Sequence, residues 1–421
     1  MTTAPIAVAG PAPAAPSSPM TPAAPAGLLV IAAAAALPSA GVYMTQPLFP
    51  EIAGALGVGA TEARLAFTAT GIAYGLAFFA FGPLADRHPG RGLAVAGALG
   101  QAVFALAMAL AGGFTAFLCF AAAFGVAAAA VPAAVFALVA RTAPPGRTGL
   151  HLGIAIGAAV AGMILGRWAP GVAAEAVGWR TTFLGAAALF ALLAAALRLL
   201  PGNDPRLTTH LTTLPRQGLR RTYGAALGLL ARRRVAWLLA TGFALFAGYL
   251  GPTSMLTYHL AGPPFGAGTG EVGWISLAGL TAVLGAPLSG RLLPVLGARP
   301  VMLAGLALML AAQAVLLVAG TLAAVATGVA LLFLGVFVCQ PVVFALLAEA
   351  VPADRRGTAT SFYFLVCILS GGLSTAALGP VWEAAAWPGV SAASTAGIAA
   401  AGWLLLRATG PAAVPAEKDP R

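Results

Sequence analysis

The sequence has 421 residues, of which 60% are hydrophobic and only 8% are charged, and its mean hydropathy is +0.94. Soluble domains carry roughly 25% charged residues, so this composition excludes a soluble protein. The formal net charge of +11 does not indicate nucleic-acid binding. The basic residues fall in short connections between apolar segments, which is typical of membrane proteins.

Apolar segments occupy most of the chain after residue 26. Residues 1–26 contain no charged side chain and are rich in proline and alanine, which predicts a disordered tail. Twelve apolar segments follow, each close to the roughly 20 residues that a helix needs to cross a bilayer. They lie near 27–49, 65–85, 92–112, 114–140, 148–172, 181–200, 235–258, 272–292, 300–320, 322–348, 357–382 and 388–407.

A polar and basic connection, 201–234, separates the first six segments from the last six. It predicts a linker between two bundles, 27–200 and 235–407, with a C-terminal tail at 408–421. We therefore expect an all-α membrane protein with twelve transmembrane helices in two pseudo-symmetric six-helix bundles.

The basic residues predict the orientation. All Lys and Arg residues except Arg64, Arg167 and Arg180 fall on the same side as the 201–234 connection. Because the cytoplasmic side of a membrane protein is enriched in Lys and Arg, both termini are predicted to be cytoplasmic. We expect a multi-pass protein of the bacterial inner membrane.

A loop sequence occurs twice, 208 residues apart, starting at Gly82 and at Gly290. The same offset relates Trp179 to Trp387, so it holds over almost a hundred residues and indicates a duplicated bundle. The residues that we assign to this loop pair are Gly82, Asp86, Arg87, Gly90 and Arg91 in the first copy and Gly290, Gly297 and Arg299 in the second.

The first loop resembles a signature of the major facilitator superfamily. Residues 82–91 are similar to the pattern G-x-L-x-D-R-x-G-R between helices 2 and 3 of that family, with one residue inserted. Residues 43–48 and 178–183 resemble its bacterial twelve-helix drug and sugar efflux subgroup. The resemblance implies a transporter that works by alternating access, with the loop residues forming a latch between the halves.

Two positions depart from the antiporters of that family. Ala121 stands where many of them have an arginine four residues before a glycine, here Gly125. Residues 166–171 read Gly-Arg-Trp-Ala-Pro-Gly in place of G-P-x-x-G-G. Both departures keep mechanisms other than drug–proton exchange open.

Polar and aromatic residues within otherwise Ala/Leu-rich segments are candidates for a substrate cavity, or for hydrogen bonds between helices. Arg167 is a cation within an apolar segment, and it either contacts substrate or extends to the headgroups. The substrate-binding candidates are Tyr43, Gln46, Arg167, Tyr249, Ser254, Gln340 and Tyr363.

No acidic residue falls in the middle of an apolar segment. Glu51 and His259 are the best candidates for proton coupling, and the alternative for each is a solvated residue at the membrane edge. The sequence has no phosphate-binding loop, no zinc-ligand spacing and no nucleophile elbow. We expect no enzymatic activity, no cofactor and no metal.

These patterns predict a secondary transporter, most simply one that exports amphiphilic drugs or sugars in exchange for protons. Uptake or facilitated diffusion of a small metabolite is the second interpretation, and a non-transporting membrane sensor is the third. The expected partners are a small-molecule substrate, protons and the lipid bilayer, and the expected state is a monomer.

Overall fold

The computed structural model describes residues 25–85, 90–142, 148–199, 224, 228–352 and 356–409. Most of the predicted tails and linker lie outside these ranges, as do Asp86 and Arg87. Within them, eleven helical segments are long and apolar enough to cross a membrane. A helix satisfies its own backbone hydrogen bonds, which is why such apolar segments adopt it in lipid.

The first half contains six long helices. A 3₁₀ turn, Gln46–Leu48, and two short helices, Phe49–Leu56 and Ala60–Ala63, connect the first helix to the second. The six are α1 (Pro25–Tyr43), α2 (Leu65–Ala85), α3 (Gly90–Ala109), α4 (Phe114–Thr142), α5 (Thr148–Val177) and α6 (Trp179–Leu199).

The second half repeats this arrangement. Helix α8 is composite, since a 3₁₀ turn, Leu277–Thr281, joins Thr269–Ser276 to Ala282–Leu296. The last helical stretch, Arg356–Thr409, is broken at Ala386 into α11 and α12. The remaining helices are α7 (Arg233–Ala261), α9 (Ala298–Val318) and α10 (Leu322–Ala350).

The break at Ala386 explains why twelve predicted segments correspond to eleven spans. The last span covers 48 residues, about twice what one crossing needs. Ala386 has φ 47° and ψ −143°, and the indole Nε1 of the next residue, Trp387, donates to the Leu316 carbonyl at 2.9 Å. The prediction of an all-helical membrane fold with duplicated bundles is confirmed.

Small residues allow close helix packing within the first half. Gly162 and Gly166 of α5 face Ala36 and Ala40 of α1, and a Cβ at Gly162 would lie 2.1 Å from the Ala36 carbonyl oxygen. Small residues allow this kind of backbone approach, which drives helix association in lipid.

The two halves meet through two equivalent helix pairs. Helix α2 packs on α11, where the Thr68 hydroxyl donates to the Gly372 carbonyl at 3.1 Å. Helix α5 packs on α8, where the Trp168 and Trp274 rings lie 5.5 Å apart. Because α8 is the counterpart of α2 and α11 that of α5, the two contacts are related by the pseudo-two-fold axis of the duplication.

Candidate functional site

A buried polar cluster joins the two halves. The Gln46 amide nitrogen donates to the Ser254 hydroxyl at 2.8 Å, and Arg167 Nε donates to the Gln46 amide oxygen at 2.6 Å. Gln46 is 1% exposed and Arg167 is 4% exposed. Three of the residues proposed from sequence as substrate-binding candidates therefore lie in direct contact.

The cluster follows the sequence duplication. Gln46 and its partner Ser254 are 208 residues apart, which is the repeat offset. Thr375 lies at the same offset from Arg167, and its hydroxyl is 3.0 Å from that of Ser254. The chain of contacts Arg167–Gln46–Ser254–Thr375 is thus built from equivalent positions in the two halves.

Local structure directs Gln46 into this cluster. Helix α1 ends at Tyr43, and Pro47 follows Gln46 at the start of the 3₁₀ turn, where its missing N–H leaves no helical bond unmade. One turn beyond Ser254 on α7, the Thr257 hydroxyl donates to the Gln46 main-chain oxygen at 3.1 Å. Both the side chain and the backbone of Gln46 are held by the second half.

Arg167 is buried and does not extend to the headgroups. Its guanidinium carbon lies 4.3 Å from the centre of the Tyr43 ring and 5.5 Å from that of Phe333. The Tyr249 hydroxyl lies within hydrogen-bonding reach of the guanidinium, although among the described residues neither terminal nitrogen makes a well-directed hydrogen bond. A buried charge in a membrane protein is costly, so an arginine in this position indicates a function.

Aromatic side chains surround the guanidinium. The Tyr249 ring is fully buried and lies edge-on to Phe333, with centroids 4.8 Å apart. Its hydroxyl donates to the sulfur of Met163, which precedes Arg167 by one turn of α5, at 3.6 Å. The rings form a layer between the two ends of the bundle.

Two cavities lie on opposite sides of this layer. We call the end at which α2 ends and α3 begins the basic end, and the other the far end. The central cavity, about 920 Å³, extends from the layer towards the basic end between the halves. Its lining includes Tyr43, Phe67, Tyr74, Phe78, Pro132, Ile156, Ala159, Met163, Phe246, Phe337, Phe364 and Cys367.

The second cavity, which we call the Arg167 cavity, lies towards the far end and has a volume of about 400 Å³. Its polar wall contains Gln46 and Arg167 of the cluster and nearby hydroxyls, and its apolar wall comes from α7, α8 and α10. The lining residues are Gln46, Pro47, Arg167, Thr253, Leu256, Thr257, Val272, Ile275, Ser276, Val329 and Phe333.

Four of the predicted substrate-binding residues line neither of these cavities: Tyr249, Ser254, Gln340 and Tyr363. Tyr363 is fully buried in the second half, against Gly242 of α7 and 4.7 Å from the Phe344 ring. Gln340 is half-buried on α10. Tyr249 belongs to the aromatic layer and Ser254 to the polar cluster, whereas Tyr43 lines the central cavity.

The proton-coupling candidates lie near the far end. A Glu51 carboxylate oxygen accepts a hydrogen bond from the Thr269 hydroxyl of the other half at 2.9 Å. The His259 ring is half-buried and stacks on Trp387, with centroids 4.5 Å apart and planes 5° from parallel.

Sequence reasoning missed a set of contacts between the halves at the far end. Arg64 is 1% exposed, and its terminal nitrogens donate to Met255 Sδ at 2.9 Å and to the Thr61 hydroxyl at 2.8 Å. The Thr61 hydroxyl in turn donates to the Glu383 carboxylate. We call Thr61, Arg64, Met255 and Glu383 the far-end clamp.

The described part of the repeated loop pair lies apart from these cavities. Gly82 lies in α2, and Gly90 and Arg91 begin α3, where Arg91 Nε donates to the Leu197 carbonyl of the same half at 3.1 Å. In the second copy, Gly290 lies in α8, Gly297 has φ 80° between α8 and α9, and Arg299 is exposed. The latch between the halves stays a prediction, since Asp86 and Arg87 lie outside the described residues.

Two duplicated six-helix halves that enclose a cavity and contact each other at one end define a membrane transporter. The sequence model of the Major Facilitator Superfamily matches residues 31–375. The chain belongs to this family, which consists of transporters rather than enzymes.

Known proteins of similar sequence and structure agree with this assignment. The chain is 31% identical to a probable transporter of Streptomyces coelicolor, SCO4007, over 92% of this chain and 87% of the relative. It is 28% identical to the uncharacterized transporter YgaY of Escherichia coli O157:H7 over 58% of this chain and 61% of the relative.

Two solved transporters share the fold at low sequence identity. The nucleoside transporter NupG superposes with a TM-score of 0.74 at 15% identity, over 91% of this chain and 99% of its own. The peptide transporter POT, solved with sulfate, gives a TM-score of 0.70 at 15% identity, over 91% and 95%. At this identity the likeness establishes the fold alone.

Proposed function

We propose that the protein exports small amphiphilic compounds across the bacterial inner membrane by alternating access, in exchange for protons. Its two bundles, 27–200 and 235–407, tilt against each other about the central cavity, and both termini lie in the cytoplasm. The observation that carries the proposal is the central cavity, which lies between the halves and is closed towards the far end by the polar cluster.

The lining of the central cavity supports an amphiphilic substrate over a sugar. Its wall is mainly aromatic and aliphatic, with polar groups supplied by Ser39, Tyr43 and Tyr74. Ligand cavities of this kind bind apolar surface and use a few polar groups for orientation. A sugar needs many hydrogen bonds, and this wall offers few.

Proton coupling is proposed at the far-end contacts. Glu51 and Glu383 each accept a hydrogen bond from a threonine of the other half. In exchange transport, such a carboxyl takes up a proton while the far end is open and releases it after the halves have tilted to open the basic end, so that protons enter as substrate leaves.

Facilitated diffusion is the second candidate function, and one observation favours it. Among the described residues, no carboxylate lines the central cavity, so no acid there exchanges a proton directly with substrate. A flux that ignores the pH gradient would select this alternative.

Flux through purified protein in proteoliposomes tests the proposal. Ala159→Trp fills the central cavity and is expected to lower efflux of an amphiphilic dye at least tenfold. Leu192→Trp, at a position 65% exposed on α6, is the matched control and should leave efflux unchanged.

An imposed pH gradient, acidic on the side that receives the dye, should accelerate efflux and should be dissipated by it. Equal flux in wild type and Ala159→Trp would contradict transport through this cavity. Flux that is insensitive to the gradient would contradict proton exchange while leaving transport intact.

A further inference from the structure

Arg167 is a buried cation without an anionic partner among the described residues. Its Nε donates to Gln46, whereas Nη1 and Nη2 are buried, lie near the neutral Tyr249 hydroxyl and make no well-directed hydrogen bond. Leaving a buried charged donor unpaired costs more than leaving a neutral one, so natural proteins pair such groups or use them for a ligand.

The duplication shows that the cluster itself does not require a cation at this position. In the second half, Thr375 occupies the equivalent place and bonds both Ser254 and the Gly371 carbonyl, the latter at 2.8 Å. A short neutral side chain at this position is therefore enough to form a hydrogen bond with the neighbouring polar residue, Ser254 in the second half. The guanidinium of Arg167 adds a positive charge and two further donors to a cluster that is otherwise neutral.

The described carboxylates near the far end contact other residues. Glu51 pairs with Thr269, Glu383 with Thr61, and Glu175 lies against Gly270. Among the described residues, none of them forms an ion pair with Arg167. The counter-charge for this arginine is therefore expected to come from a ligand.

We propose that Arg167 binds the carboxylate of a small aromatic or short-chain acid in the Arg167 cavity. Resting on the proposed transport function, this makes amphiphilic monocarboxylates the substrate class. The end-on pair of terminal nitrogens matches the two oxygens of a carboxylate in a bidentate hydrogen-bonded pair. The burial of Arg167 strengthens that pairing, because water does not compete for the donors.

The remaining walls of the cavity select among anions. The Thr253, Thr257 and Ser276 hydroxyls already donate to the main-chain oxygens of Tyr249, Gln46 and Val272. They are thus poor donors to a phosphate or sulfate, whose four oxygens would need more hydrogen bonds than Arg167 supplies. A monocarboxylate needs fewer.

The apolar wall fits the rest of such an acid. Leu256, Val272, Ile275, Val329 and Phe333 lie around the cavity opposite the polar groups. The ring of an acid such as benzoate would lie against these side chains.

Three ligands of nearly the same shape test the proposal on the purified full chain in lipid nanodiscs at pH 7. Benzoate is anionic, benzamide neutral and benzamidine cationic, and binding is measured by calorimetry. We expect benzoate to bind at least tenfold more tightly than benzamide, the change expected from a hydrogen-bonded charge pair. Benzamidine should bind most weakly.

The variants assign this preference to one side chain. Arg167→Gln should abolish the preference for benzoate while benzamide binding persists, which also shows that the variant is folded. Arg167→Lys should retain a smaller preference because a lysine keeps the charge but loses the fork. Arg180→Gln is the matched control, since Arg180 stacks on Trp179 and bonds the Ala111 carbonyl, away from the cavity.

Each other outcome overturns the proposal. Equal binding of benzoate and benzamide, no binding of benzoate, or a preference that survives Arg167→Gln removes Arg167 as the carboxylate anchor. Displacement of benzoate by sulfate at lower concentration would identify an inorganic oxyanion site instead. Flux measurements distinguish failure of this site from failure of the proposed function. Benzoate binding without transport supports the carboxylate site and contradicts the transport function. Transport without a preference for carboxylates supports the transport function and contradicts the carboxylate site.

Discussion

The two halves place different chemistry at equivalent positions of the polar cluster. Gln46 and Ser254 face each other across the pseudo-two-fold axis, and Arg167 and Thr375 extend the contacts on either side. The hydrogen-bond arrangement is therefore common to both halves, while the charge belongs to the first alone. The positions of the cluster residues follow from the duplication, whereas the charge of the candidate site comes from one residue, Arg167, that differs between the halves.

At the far end, too, equivalent positions of the two halves make different contacts. Glu175 and Glu383 are equivalent by the repeat offset. Thr61 and Thr269 are equivalent as well, but the Thr61 hydroxyl donates to Glu383, whereas the Thr269 hydroxyl donates to Glu51 and Glu175 lies against Gly270. Helices α2 and α11 are thus joined by side-chain hydrogen bonds at this end, and α5 and α8 by close packing.

The largest effect is expected at the centre of the cluster. Gln46→Leu leaves Arg167 Nε buried without its acceptor, which should lower the free energy of unfolding by about 3 kcal/mol. Ser254→Ala, at the equivalent position, removes a bond between neutral groups and should cost about 1 kcal/mol. Thermal unfolding in one detergent, followed by tryptophan fluorescence, compares the two.

Equal losses in these two variants would show that the charge of Arg167 adds nothing to the cluster. In that case the two halves of the cluster would differ only in side-chain size and not in electrostatics.

The second expected effect concerns packing on α5. In Gly162→Ala the new methyl group would lie 2.1 Å from the Ala36 carbonyl oxygen, so α1 and α5 must separate. Overpacking of this kind costs about 2 kcal/mol. Gly157→Ala on the same helix is the control, because nothing lies within 4 Å of its Cβ, and alanine favours helix over glycine.

A lower melting temperature for Gly162→Ala, with no decrease for Gly157→Ala, is the expected result. Equal melting temperatures would mean that the close approach of α1 and α5 is not needed for stability. Since α1 carries Tyr43 and leads into Gln46, a loosened contact should also weaken ligand binding at Arg167.

Hydropathy and the repeat predicted the fold, because each membrane helix must be apolar along its whole length and each half must have similar helix boundaries. They also singled out Gln46, Arg167 and Ser254, since polar groups are conspicuous in apolar segments. The far-end clamp was missed because Arg64 and Glu383 lie more than three hundred positions apart and look like edge residues.

The sequence did not indicate which face of a helix points at a cavity. Helix α10 is apolar on all sides, so no amphipathic pattern shows where Gln340 points. Tyr363 was grouped with the cavity residues on residue type alone, and it lies instead within the second half. Side-chain direction depends on the packing of helices that are distant in sequence.

The smallest expected effect lies where each half begins its sixth helix. Trp179 and Trp387 are equivalent, and each follows a residue with positive φ, Gly178 at 78° and Ala386 at 47°. The backbone of Ala386, with ψ −143°, is one that glycine adopts much more readily than alanine. Ala386→Gly should therefore raise the free energy of unfolding by about 0.5–1 kcal/mol, and Gly178→Ala should lower it by a similar amount.

Opposite shifts of the melting temperature in these two variants would show that both halves make the same turn and that only the first has the residue suited to it. A lower melting temperature for Ala386→Gly would mean that the alanine methyl group contributes more to packing than the turn costs. Neither residue contacts the polar cluster. The two variants therefore measure the cost of the backbone turn separately from the differences in charge and packing between the halves.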